Sequence, residues 1–144
     1  FSKNWKQLEK EGVITNEEFI NATFTQHYRT IEEFRKPFDD PNSTVSKSGL
    51  ILKSCKTMYT DCPFKVHYNN NKTNMTSREF AETLIPTMRS WSETVFKTAL
   101  EKRNPGEISK IVDQFYNYYF EEVANNPDGH AMDYIHVVMD IEKV

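Results

Sequence analysis

Two stretches of this chain alternate as strands do. Gly49 to Tyr59 sets Leu50, Leu52, Ser54, Lys56 and Met58 against Ile51, Lys53, Cys55 and Thr57. Met132 to Lys143 sets Ile135, Val137, Met139 and Ile141 against Tyr134, His136, Val138 and Asp140. A period of two marks a strand. Val138 blurs the second face of the later segment, so that strand is expected to be buried on both sides. A sheet of two strands is marginal in water. A last strand buried on both faces then needs neighbours beyond these two segments, which supports a missing portion. The residues between them are helical in pattern, a long return path that predicts antiparallel neighbours.

Start and stop signals place the helices. Phe1 to Glu11 carries Trp5 and Leu8 on one face, and Gly12 ends it. Thr15 with Glu18, Thr30 with Glu33 and Thr76 with Glu79 are Thr-x-x-Glu capping boxes, in which hydroxyl and carboxylate each satisfy a free backbone N–H. The first box opens a short helix with apolar Phe19, Ile20 and Phe24. The second opens a helix over about Ile31 to Lys36, which Pro37 is expected to stop. Asp39 to Ser43, Asp61 with Pro63, and Asn69 to Asn74 read as loops or breakers. The third box opens a long helix, about Ser77 to Lys102, striped by Phe80, Leu84, Met88, Trp91 and Val95. Pro86 lies inside it and predicts a kink. Asn104-Pro105 then suits the N-cap and first position of another long helix, buried along Ile108, Ile111, Val112, Phe115, Tyr119 and Val123. Asn125 to Gly129 reads as a turn.

Composition excludes several classes. A net charge of -3, with no basic cluster longer than Arg35-Lys36, argues against a nucleic-acid surface. No apolar run approaches the roughly 20 residues of a membrane span. Aromatic residues make up 13% of the chain, ample for a core and far from a disordered composition. The glycines Gly12, Gly49, Gly106 and Gly129 are dispersed, so no nucleotide-binding loop is present. His27, His67, His130 and His136 show no helical metal-ligand spacing, and no metal is expected. Cys55 and Cys62 read as ordinary thiols. Asn21, Asn42, Asn71 and Asn74 begin Asn-x-Ser/Thr sequons, little above what the Asn/Ser/Thr content produces by chance. The chain opens on Phe1 with no targeting pattern, and a missing N-terminal part is the expectation.

Four segments, in order, resemble the C-terminal half of the S-adenosylmethionine-dependent carboxyl methyltransferases known as the SABATH group. Trp5-Lys6-Gln7-Leu8-Glu9-Lys10-Glu11-Gly12-Val13-Ile14-Thr15 is similar to the family's helix ending in Glu-Gly before an apolar pair. Tyr28-Arg29-Thr30-Ile31-Glu32-Glu33-Phe34 is similar to its Tyr-x-x-Ser/Thr-x-Glu-Glu entry to a short helix. Met88-Arg89-Ser90-Trp91-Ser92-Glu93 resembles its Met-Arg-Ala-Val-Ala-Glu helix, and Tyr134-Ile135-His136-Val137-Val138 its final strand. Thr94 stands where the family commonly has Pro, and Trp91 replaces a smaller residue.

The resemblance implies a Rossmann-like α/β enzyme in which this chain is the C-terminal part: two antiparallel strands plus a helical cap, α+β as a piece. It implies a helical cap segment and connection over residues 1–48. Residues 49–144 then supply a strand, two long cap helices and the final strand of the same structural unit. The cofactor-binding half lies upstream. Carried over residue by residue, Tyr28, Met88, Trp91 and Tyr134 match pocket-lining, substrate-binding positions, and no residue matches a general acid or base. The implied cofactor is S-adenosylmethionine, the partners a small-molecule carboxylate and, as an option, a second copy in a homodimer, and the location cytoplasmic. Methyl transfer to a carboxylate fits the missing acid and base, because that acceptor is already ionised at neutral pH. Two other readings stand beside it: a non-catalytic helical binding domain, and a secreted, glycosylated one.

Overall fold

The computed structural model describes residues 1–25 and 27–144. Four short helices come first: α1 (Ser2–Lys10), α2 (Asn16–Asn21), α3 (Ile31–Asp39) and α4 (Thr44–Lys47). Strand β1 (Leu50–Thr60) follows, then α5 (Pro63–Asn70), the long helices α6 (Ser77–Ala99) and α7 (Pro105–Asn125), and β2 (Tyr134–Lys143). Helices plus an antiparallel two-stranded sheet make the described chain α+β.

All three capping boxes form, each with the Thr hydroxyl accepting the N–H of the third helical residue and the Glu carboxylate accepting the Thr N–H. Asn104 caps α7 through the N–H of Glu107, with Pro105 in the first turn. Gly12 closes α1 at φ +71, a left-handed conformation that glycine adopts at little cost.

Other local expectations need correction. Pro37 does not stop α3, which runs on to Asp39. The hydroxyl of Ser43 donates to the Pro37 carbonyl and that of Ser46 to Phe38 O at 3.1 Å, so side chains satisfy carbonyls of the last turn. The expected loop after α3 is cut short, because Ser43 caps the four-residue α4. Pro63 begins α5 instead of merely breaking the chain: proline's fixed φ suits a first helical turn. Phe24 lies beyond the end of α2, and α2 buries none of its residues.

The chain divides into two compact units, each made from two separate stretches. Phe1–Thr25 with Pro63–Ala131 forms a helical unit. Gln26–Cys62 with Met132–Val144 forms a sheet unit.

In the helical unit α6 packs along α7, with α1, α2 and α5 against the pair. Leu8, Phe80, Leu84, Phe96, Leu100, Val112, Phe115 and Val123 are fully buried. The rings of Phe96 and Phe115 lie 4.2 Å apart between centroids. Inside this core the Ser92 hydroxyl donates to Met88 O at 2.5 Å and stands 2.7 Å from the Tyr116 hydroxyl. Ser92 has a single proton and donates it to Met88, so Tyr116 donates to Ser92. Burial pushes the Tyr116 phenol up to about 12. At the edge of the unit Arg103 grips Glu18 with two hydrogen bonds, 2.6 and 2.8 Å, and also donates to Val13 O at 3.0 Å. The guanidinium holds the Glu18 carboxyl down at about 2.

In the sheet unit β1 and β2 pair antiparallel, from Leu50 opposite Lys143 to Thr60 opposite Tyr134. The expected pairing of the two strand segments is present. A register shift between Leu52 and Ser54 leaves Lys53 as an extra residue. That bulge explains the imperfect alternation. Leu50, Leu52, Cys55 and Thr57 share one half-buried face although the spacing changes from two to three. Helices α3 and α4 pack on β1. The ladder is closed at one end by Cys62 N–H donating to Asp133 Oδ1 at 2.8 Å, and at the other by Val144 N–H donating to Gly49 O at 2.9 Å. The double burial expected for β2 is not seen: no residue of β2 is fully buried, and Ile135 is 67% exposed. Cys55 and Cys62 are both free thiols.

Candidate functional site

The four residues singled out from the sequence fall two to each unit. Met88 and Trp91 stand one turn apart on α6 of the helical unit. Met88 is 8% exposed and belongs to the core, whereas Trp91 is 44% exposed. The Trp91 ring meets Phe1 edge-on at 5.7 Å and Phe24 at 6.1 Å. Those two rings, with Trp5, Phe19, Ala22 and Phe96, wall a cavity of about 80 Å³. Such a cavity has room for a few waters. It falls short of the roughly 300 Å³ at which small-molecule pockets begin.

Tyr28 and Tyr134 belong to the sheet unit, and there a larger cleft opens. About 680 Å³ in volume, it is lined by His27, Tyr28, Arg29, Phe34, Ile135 and Val137. Local structure explains each contribution. The Thr30 capping box fixes where α3 starts, so residues 27–29 arrive at its N-terminal end and Phe34 sits one turn in. On β2 successive side chains alternate, which puts Ile135 and Val137 on one face. Tyr134 is on the other. It is not among the lining residues; its ring stacks on His136 at 5.8 Å and its hydroxyl donates to the Met132 sulfur at 3.6 Å. Tyr28, 84% exposed, stands at the rim.

The charges of the cleft are uneven. His27 Nε2 is 3.7 Å from Glu33 Oε1, and that carboxylate also accepts the Thr30 N–H at 2.7 Å. Arg29 has no ion pair and no hydrogen bond among the described residues. Arg29 thus stands in the cleft beside Tyr28, Phe34, Ile135 and Val137. Arg29, Phe34, Ile135 and Val137 were not singled out as site residues from the sequence. All four lie inside the second and fourth segments of the resemblance, which the fold brings together at this cleft.

The residues present do not fit an S-adenosylmethionine site. A Cβ on Gly49 would stand 2.6 Å from the Val144 carbonyl oxygen, and one on Gly129 2.5 Å from the Asn126 amide, so both glycines serve close packing within the chain. Gly106 is inside α7 and Gly12 closes α1. None follows a strand as a phosphate- or ribose-binding turn does. Among the described residues no group of three or more His, Cys, Asp or Glu side chains is placed to hold a metal ion. Of the described helices, none is long and apolar enough to cross a membrane. Of the sequon asparagines, Asn21, Asn42 and Asn74 are exposed, whereas Asn71 donates its amide to His67 O at 2.8 Å. No protein-family model matches the chain, and no curated protein sequence matches it.

Proposed function

We propose that this chain is the acceptor-binding, C-terminal part of an S-adenosylmethionine-dependent methyltransferase that acts on small carboxylic acids in the cytoplasm. The observation that carries the reading is the cleft of the sheet unit, where Tyr28 and Phe34 of one resembling segment meet Ile135 and Val137 of another. The antiparallel pairing of β1 with β2 supports the same reading, as does the apolar surface that Ile51, Met58 and Val138 leave open on one face of the sheet. In a Rossmann-like sheet helices would cover that face, and further strands would pair with the free edges.

The chemistry asks little of these residues beyond placement. A carboxylate acceptor needs no base at neutral pH. When bound, the cofactor supplies the electrophilic methyl group, and residues outside this chain hold it. The residues here orient the acceptor and exclude water, which is where the rate of an in-line displacement is gained. Tyr28, Phe34, Ile135 and Val137 form the walls that do this.

Transfer of labelled methyl groups to a panel of small acids, alcohols and amines tests the reading in the whole enzyme. Esters should form from the acids, and Tyr28→Ala should lower kcat/KM for them. Methylation confined to alcohols or amines, or none at all, overturns it. For the 144-residue chain alone, calorimetry should show no micromolar affinity for S-adenosylmethionine.

A further inference from the structure

The geometry points to Arg29 as the residue that anchors the ligand's negative charge in the sheet-unit cleft, and so as the group that separates a free acid from its methyl ester. As a statement about substrate and product it rests on the acceptor-binding reading above; as a statement about ligand binding it stands on the cleft alone.

The sequence places Arg29 between a rim tyrosine and the capping threonine of α3. Because Thr30 and Glu33 satisfy the first backbone donors of that helix reciprocally, the backbone at residue 30 is held. Arg29 is thereby delivered to the cleft by a fixed turn of chain. Glu33 accepts the Thr30 N–H and faces His27, and Glu32 lies with Arg35, Lys36 and Asp39 along a separate hollow on α3. Among the described residues the guanidinium groups of Arg35, Arg78, Arg89 and Arg103 each pair with a carboxylate, and that of Arg29 does not. A cleft of about 680 Å³ is the size that takes small organic molecules. Its aromatic and branched aliphatic walls suit a ring or a branched chain, and a guanidinium pairs with a carboxylate through two parallel hydrogen bonds.

This arrangement has a chemical consequence. Methylating a carboxylate removes its charge and one of the two oxygens that a guanidinium fork engages. An ester therefore keeps the contacts to Tyr28, Phe34, Ile135 and Val137 but loses the anchor. The acid is held and the ester is let go, with no movement of the fold required.

Phenylacetate and its methyl ester are the probes. The protein carries labelled Ile and Val methyl groups, so that Ile135 and Val137 report on the cleft by NMR. Phenylacetate should shift both signals saturably, and the ester should bind about tenfold more weakly, as loss of a hydrogen-bonded charge implies. Arg29→Gln should weaken phenylacetate about tenfold, to the level of the ester, and leave the ester where it was. Arg29→Lys should recover part of the difference by restoring charge without the fork. Unchanged ester binding shows that the variant is folded and the cleft intact. The assignment is overturned if acid and ester bind alike, if Arg29→Gln leaves the acid unaffected, or if neither probe shifts Ile135 or Val137. Arg29-dependent binding of the acid in an enzyme that forms no ester would instead remove the methyltransferase reading and keep the anchor.

Discussion

The helical unit and the sheet unit use the same kinds of residue to opposite ends. Among the described residues every fully buried apolar side chain lies in the helical unit except Cys62. The sheet unit exposes Ile51, Met58, Tyr59, Ile135, Val138 and Ile141. Two long amphipathic helices bury their stripes against each other and complete a core with a few short helices. Two strands have two faces and two free edges, and α3 with α4 covers part of one face. The difference teaches where stability and where binding are to be sought. The helical unit is packed tightly enough to fold on side-chain burial. The sheet unit leaves apolar surface and an unpaired cation for something else to meet.

The sharpest way to break this comparison is to truncate one residue in each unit. Phe115→Ala, at a fully buried ring against Phe96, should cost about 3–5 kcal/mol by chemical denaturation. Met58→Ala on the open sheet face should stay within about 0.5 kcal/mol. Equal losses would mean that the sheet face is covered and the contrast is wrong.

Glu18→Gln should follow at about 1–3 kcal/mol, because it discharges one partner of the doubly bonded Arg103 pair. The same pair sets a pH dependence. Glu18 titrates at about 2 in the fold and at 4.5 as a free side chain. Between those values the unfolded chain binds the extra proton, so acid favours unfolding. The stabilisation is complete above 4.5 and is lost as pH falls towards about 2. An acid titration of melting temperature should flatten over that window in Glu18→Gln; a curve parallel to that of the unmodified protein would sink the assignment.

Gly49→Ala tests the sheet unit through its backbone. Gly49 has φ +78, and its new Cβ would press on the Val144 carbonyl at 2.6 Å. A loss of about 1–3 kcal/mol is expected. It should appear as faster amide exchange in β1 and β2 with α6 and α7 unaffected, and slowed or unchanged strand exchange would refute it. The smallest effect is that of Thr76→Ala, which removes the cap of α6 and should cost about 1 kcal/mol. Its exchange signature should be confined to the first turn of α6.

The particular protein cannot be reduced to either unit's sequence pattern, and the candidate site shows why. Tyr28, which the resemblance named, lies at the cleft, whereas Tyr134, named from another segment of it, is on the opposite face of β2, one residue along the strand from Ile135. Arg29 carried no signal by itself. Its significance comes from what does not pair with it, and a missing partner is visible only once the neighbours have been placed.

The sequence by itself determined the local features. Three Thr-x-x-Glu boxes, the Asn104-Pro105 start of α7, the stop at Gly12 and the stripes of α6 and α7 follow from bonds made within a few residues or from simple period. Tertiary structure decided the rest. The last carbonyls of α3 are satisfied by Ser43 and Ser46, which lie beyond the end of the helix. The bulge at Lys53, which sets the faces of β1, exists only relative to β2. The interleaving of two units from four stretches of chain, and the gathering of Tyr28, Arg29, Phe34, Ile135 and Val137 around one cleft, join residues about a hundred positions apart. Contacts of that range are governed by packing between elements, and no window of sequence contains them.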